Sequence, residues 1–136
     1  MSYALAEPLQ AAIYQHLQAD ATLAALIGDA IYDAVPAGDL PETYAVLGAE
    51  TVRDRSDGSH AGALHALTVS VMSSVAGFTV AKSVAGRISD LLHEADLGLA
   101  RGRLVFLKFD RATARREGSA NARRIDLRFQ ARVEDN

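Results

Sequence analysis

The residues best equipped for chemistry are four histidines, His16, His60, His65 and His93. None has a second histidine four residues away or a carboxylate at metal-ligand spacing, so no zinc motif is written in the chain. His16 and His93 fall in helical stretches at the boundary of an apolar stripe, where structural roles prevail. The segment Gly58-Ser59-His60-Ala61-Gly62 is glycine-rich but is not a Gly-x-Ser-x-Gly elbow. Adjacency does not make Ser59 and His60 a nucleophile and its base, because that pairing is decided by geometry. Asp54 and Asp57 lack the alternating oxygen ligands and closing Glu of a calcium loop. There is no phosphate loop and no Gly-x-Gly-x-x-Gly. Cysteine is absent, which removes disulfides, thiolate metal sites and a thiol nucleophile together. The expectation is a protein that is not an enzyme, with no catalytic residue, no metal and no cofactor.

Charge is distributed in a way the total conceals. The formal net charge is −3 over 136 residues. Residues 1–52 hold seven acids (Glu7, Asp20, Asp29, Asp33, Asp39, Glu42, Glu50) and no Lys or Arg, whereas residues 101–136 hold ten bases against five acids. Such splitting points to interaction surfaces. Arg111, Arg115, Arg116, Arg123, Arg124, Arg128 and Arg132 all fall on one expected hairpin. Three readings of them stand side by side: a solvated, aggregation-resistant sheet face, a surface for an acidic partner, and a nucleic-acid phosphate surface. The last lacks the outward aromatics that sheet-type readers use for stacking.

The elements that must position these residues follow from periodicity. Leu5, Leu9, Ile13 and Leu17 recur every four residues and form one stripe of a helix over Ala4–Gln18, with Pro8 in its first turn. Asp20 reads as the N-cap of a short helix, Ala21 to Ile27, that Gly28 ends. Residues 29–42 carry Pro36, Gly38 and Pro41 and read as a connection, with Ile31-Tyr32 a short pairing segment within it. A strand from Tyr44 through Val52 and another over Ala63–Ser73 bracket the polar tip Arg53–Gly62, whose Asp57-Gly58 is a turn signal. A helix is expected over Phe78–Ala95, with Gly86 in its middle explained by close approach to a sheet. Strand character returns from Leu104 to Arg116, and Glu117-Gly118-Ser119-Ala120-Asn121 is a second hairpin tip. In the last strand Ile125, Leu127, Phe129, Ala131 and Val133 alternate with Arg124, Asp126, Arg128, Gln130 and Arg132, one face core and one face wet. The order α-β-β-α-β-β gives an α+β two-layer single domain over residues 1–136, an antiparallel four-stranded sheet with helices mainly on one face.

Composition is consistent with this. Apolar residues make up 49% and charged residues 23% of the chain, which is ordinary for a globular domain. Apolar runs stop well short of the ~20 residues of a membrane helix, and the N-terminus lacks the basic region of a secretory signal.

The order and spacing of several segments resemble a known family. These are Leu9-Gln10-Ala11-Ala12-Ile13-Tyr14; Asp20-x-x-Leu23-x-x-Leu26-x-Gly28; Ile31-Tyr32-Asp33 followed by Pro36; Pro41-Glu42-Thr43-Tyr44-Ala45-Val46-Leu47-Gly48; Thr68-Val69-Ser70-Val71-Met72-Ser73; Ala85-x-x-Ile88-x-x-Leu91-Leu92; and Gly102-Arg103-Leu104-Val105-x-Leu107. Together they resemble the tail terminator, or tail-completion, proteins of long-tailed phages and gene transfer agents. Met72 stands where members often carry an aromatic. The resemblance implies a structural neck protein that forms a homo-oligomeric, six-fold ring on the last ring of a tail tube. It would end tube polymerisation, offer its other face to a head–tail stopper or adaptor protein, and leave a channel for DNA in transit. It implies assembly in the bacterial cytoplasm and then residence in the particle neck, without a membrane partner. The family has no catalytic residues to carry over. The alternatives are another neck component, such as the stopper itself, or an unrelated protein-binding module.

Ring or partner contacts are expected at the two polar tips and the basic hairpin: Arg53, Arg55, Asp57, Ser59, His60, Arg111, Arg115, Arg116, Glu117, Arg123 and Arg124. A head-to-tail ring needs two unlike patches on each subunit, and an acidic first half with a basic last hairpin supplies them. The tip Arg53–Gly62 is expected to be mobile in the free subunit and to order against a partner.

Overall fold

The computed structural model describes residues 3–118 and 122–135. Three helices, α1 (Ala6–Gln18), α2 (Ala21–Ile27) and α3 (Thr79–Leu92), pack against a sheet of five strands. The strands are β1 (Ile31–Tyr32), β2 (Thr43–Asp54), β3 (Ala61–Ser73), β4 (Arg103–Glu117) and β5 (Ala122–Asp135), in spatial order β1-β2-β3-β5-β4. The expected four-stranded antiparallel sheet is therefore corrected by one strand. Ile31 and Tyr32 pair in parallel with Ala45 and Val46 of β2, and Ile31 is buried. The short pairing segment expected at Ile31-Tyr32 does pair, and it is the strand that the four-stranded count left out.

Local chemistry explains the helix ends. α1 accepts Pro8 because the first turn needs no N–H there. Leu5, Leu9, Ile13 and Leu17 are all buried, as their spacing requires. The Asp20 carboxylate accepts the Leu23 amide at 2.8 Å and caps α2, and Gly28, at φ 62°, ends it. α3 stops at Leu92, short of the expected Ala95. His93 turns extended and Glu94 takes φ 60°, a left-handed value that no helix continues through.

The core lies between the helices and one sheet face. Ile125, Leu127, Phe129, Ala131 and Val133 of β5 are all buried. They face Val71, Val69, Leu67, His65 and Ala63 across β3. α3 lays Ala81, Val84, Ala85, Ile88 and Leu92 over them. Fully burying each large aliphatic or aromatic side chain contributes ~1.5–3 kcal/mol. The opposite face carries no helix and is where the alternating polar residues of β5 emerge. Gly86 is exposed, and a Cβ placed there meets nothing within 4 Å. The expected close approach to the sheet is not its reason.

Candidate functional site

The polar tip brings Asp57, Ser59 and His60 together. Ser59 Oγ lies 3.2 Å from His60 Nδ1, and Asp57 Oδ1 lies 3.2 Å from that same Oγ. The resemblance to a triad ends there. Serine and carboxylate both crowd the Nδ1 side, the Asp57–His60 separation is 3.8 Å, and all three residues are exposed. A working triad needs the two partners on opposite ring nitrogens. Asp57 serves the turn instead. Its Oδ1 accepts the amides of Ser59 and His60 at 2.8 and 2.7 Å, and these bonds hold its carboxyl below the usual range. Asp54 does the same for Ser56, whose hydroxyl and amide it accepts. The Ser56 hydroxyl in turn accepts the Gly62 amide, and Arg132 donates to the Arg55 carbonyl. The tip Arg53–Gly62 is thus internally stitched.

The other histidines have structural partners. His16 Nε2 meets the Leu91 carbonyl at 2.9 Å and joins α1 to α3. His93 accepts the Phe109 amide at 2.9 Å. His65 is buried, 3.2 Å from Glu50 Oε2, and Tyr3 donates to the other Glu50 oxygen at 2.7 Å. Among the described residues, no group of three or more His, Asp or Glu side chains is placed to hold a metal. No described helix is long and apolar enough to cross a membrane.

The eleven expected contact residues are not one site. The β2–β3 tip, with Arg53, Arg55, Asp57, Ser59 and His60, stands where Ala61 pairs with Asp135 at the end of β5. Arg115, Arg116, Glu117, Arg123 and Arg124 stand at the opposite end, where Ser73 pairs with Arg123 and Met72 with Arg124. The 13 residues of β3 separate them, roughly 40 Å of strand. Ser119, Ala120 and Asn121, expected in the second hairpin tip, lie outside the described residues.

Within the basic end the arginines differ in kind. Arg123 is a correction to the expected wet surface. It is 6% exposed, with its guanidinium 5.5 Å from the Phe78 ring centroid, a cation–π contact under the start of α3. Its position has the parity of Ile125 and Leu127, so alternation already placed it inward. Arg115 and Arg124 converge on Asp126 at 3.0 and 2.8 Å and also approach Glu117. Ser70 donates to the same Asp126 at 2.6 Å. Burial opposes ionisation of Asp126, but Ser70, Arg124 and Arg115 outweigh it and hold the carboxyl below the usual range. Arg132 and Arg103 share Glu134, and Arg101 takes Asp135 at 2.7 Å.

Seven cations have no carboxylate within ion-pair distance among the described residues: Arg53, Arg55, Lys82, Lys108, Arg111, Arg116 and Arg128. Three of them are on β4, the edge of the sheet. From Lys108 to Arg116 every residue of that strand is exposed, including Phe109, which meets Phe129 edge-on at 5.9 Å. On the helix-free face, the register sets Thr68, Arg128 and Arg111 in one row across β3, β5 and β4.

The opposite edge has the opposite character. Glu7, Asp29, Asp33, Asp39 and Glu42 are exposed, and among the described residues none has a cation within ion-pair distance. Glu7 and Asp33 flank a groove of about 310 Å³ between α1 and the start of the sheet, lined also by Gln10, Ala11, Tyr14 and Leu47. Glu7 and Asp33 are 26 positions apart in the chain, and only the fold brings them to one groove. Of the remaining acids in this half, Glu50 has the His65 and Tyr3 partners given above, and Asp20 is held by a cation. Arg87 clasps it with two bonds of 2.9 and 2.7 Å, which with the Leu23 amide pull its pKa down to about 2.

This arrangement has polar, oppositely charged edges, and the chain matches known proteins along its length. A comparison with curated proteins returned no match. Among solved structures, a chain of the "Virion of native gene transfer agent (GTA) particle" superposes with a TM-score of 0.93 at 59% identity, covering 98% of this chain and 99% of that one. The family model described as Tail completion protein gp17 matches residues 11–134. Nearly the whole fold, from the middle of α1 to Glu134 in β5, lies within that match, and the chain belongs to the tail completion protein gp17 family.

Proposed function

We propose that this protein is the terminator of a phage-like tail: a structural neck protein that sits as a ring, six-fold in the simplest case, on the finished tail tube. The observation that carries this reading is the end-to-end likeness, at 59% identity, to a chain of a gene transfer agent virion, joined to membership of a tail-completion family. The ring stops tube growth, presents a second surface to a head–tail stopper or adaptor, and leaves an axial opening for DNA. Its partners are further copies of itself, the tail tube protein and the stopper. It is made and assembled in the bacterial cytoplasm and ends in the neck of the particle.

The two clusters of expected contact residues support a protein with two axial partners. They lie at opposite ends of the long strands, so one end is available to the tube and the other to the neck. The tip Arg53–Gly62 is assigned to one of these partners, ordering further on contact.

The test is the particle made without the gene. Electron microscopy should then show tailless heads together with uncontrolled or unjoined tubes. Normal, joined particles would overturn the assignment. A pull-down separates the neighbouring reading of a head-side stopper, because a terminator retains tail tube protein and a stopper retains the head portal.

A further inference from the structure

We propose that the open β4 edge of one copy docks against the groove between α1 and β2 of a second copy, with Arg111 and Arg116, which project from opposite faces of the strand, meeting the carboxylates of Glu7 and Asp33 at the two walls of the groove. This rests on the ring reading above and deepens it by naming both halves of the contact.

Three observations carry it. The first is that β4 is a 15-residue edge strand, and an unpaired edge of that length offers a row of backbone donors and acceptors to a neighbour. Its outer half is uncovered on both faces and presents Phe109, Ala112 and Ala114 along with its cations and a single unpaired carboxylate, Asp110. The second is selective neutralisation. The molecule spends Asp126 and Glu117 on Arg115 and Arg124 and leaves Arg111 and Arg116 free. Charge that only protects an edge would not need a matching uncompensated set elsewhere. The third is that this set exists on the far edge of the same sheet, where Glu7 and Asp33 rim a groove floored by Ala11, Tyr14 and Leu47. Unlike patches at opposite edges join head to tail, which is the geometry of a closing ring and not of a two-fold dimer. The polar rim supplies orientation and rate, and the Phe109 and Tyr14 faces supply the apolar centre that such contacts need.

The experiment uses two charge-reversed proteins. One carries Arg111→Glu with Arg116→Glu, and the other Glu7→Arg with Asp33→Arg. Every altered side chain is exposed, and circular dichroism checks that each protein folds. Either protein alone places like charges at every contact, and the yield of head-joined particles should fall by at least about tenfold. Co-expression of the two, or all four changes in one chain, restores opposite charges at each contact and should return the yield to within about twofold of wild type. A defect confined to the arginine protein would assign these cations to DNA or another protein and overturn the proposal. So would a full defect that neither combination relieves. If instead the gene is dispensable for joining, the ring reading itself fails, so the two failures are told apart.

A second measurement does not depend on charge reversal. The chain has no cysteine of its own, so Ala11→Cys with Ala114→Cys introduces the only thiols. Oxidised particles that contain this variant should release a ladder of covalent multimers. Monomer alone from such particles would overturn the contact.

Discussion

Asp126 is the residue on which the basic hairpin turns. Two guanidinium groups and one hydroxyl converge on its carboxylate, and its removal would leave Arg124 half-buried beside a second cation. Asp126→Ala should lower stability by about 1–2 kcal/mol, allowing for solvent screening at the half-exposed Arg115, as read by urea unfolding. Asp20 gives the pH signature. Its folded pKa, about 2, lies below the ordinary aspartate value of 3.8, so its contribution is present above pH ~4 and is lost as pH falls through ~2. Wild type should therefore exceed Asp20→Asn in urea midpoint at pH 6, with the gap closing between pH 4 and 2. A constant gap would show that the Arg87 clasp does not set this carboxyl. The roles of these two aspartates were unequally legible. Asp20 announced itself as an N-cap through position alone. Asp126 looked like one polar residue among arginines, because pairing with Ser70 and Arg115 depends on register across three strands. Arg123 is buried as the parity it shares with Ile125 requires, although its charge alone points to a wet surface. His65 shares the parity of Leu67 and Val69 in the same way, and its burial was there to be read.

At the scale of elements, two glycines make opposite predictions. Gly86 sits on the solvent side of α3 with open space around it. Gly86→Ala should therefore stabilise the fold by ~1 kcal/mol, through helix propensity and a less flexible unfolded chain. Gly102 enters β4 at φ 67°, and a Cβ there would collide with the Leu5 side chain and the Glu134 carbonyl. Gly102→Ala should destabilise by about 2 kcal/mol or more. Thermal melts of both check the pair, and a stabilising Gly102→Ala would contradict the packing of α1 against the β4 entrance. Why some elements were readable follows from the same physics. α1, α3, β3 and β5 each repeat an apolar period over three or more turns or pairs, so their faces were determined locally. β1 has two residues and exists only because α2 returns the chain alongside β2. β4 lost its alternation after Leu107, since no helix covers it there and neither face has a core to match. An element without a buried face carries little period to read, and in this molecule that element is also the one left open for a partner.

For the whole molecule, charge is partly sorted across the sheet: Glu7, Asp29, Asp33, Asp39 and Glu42 are unpaired at the β1 side, and Lys108, Arg111 and Arg116 are unpaired along β4, where they outnumber the one unpaired acid, Asp110. Folding and association should then respond differently to salt. The core is apolar and its ion pairs are local, so stability should change little with ionic strength. Association between opposite edges relies on exposed charges that no internal partner screens. Raising ionic strength from 0.1 to 1 M shortens the Debye length from ~10 Å to ~3 Å and should weaken self-association severalfold. Sedimentation velocity and circular dichroism on the same samples separate the two effects. The expected result is loss of oligomer at high salt with an unchanged far-ultraviolet spectrum. Association that strengthens with salt would place the apolar faces of Phe109 and Tyr14, rather than the charges around them, in command of the contact. The charge-reversed proteins provide the internal control. Arg111→Glu with Arg116→Glu alone should associate better, not worse, as salt rises, because screening then relieves a repulsion between two acidic edges.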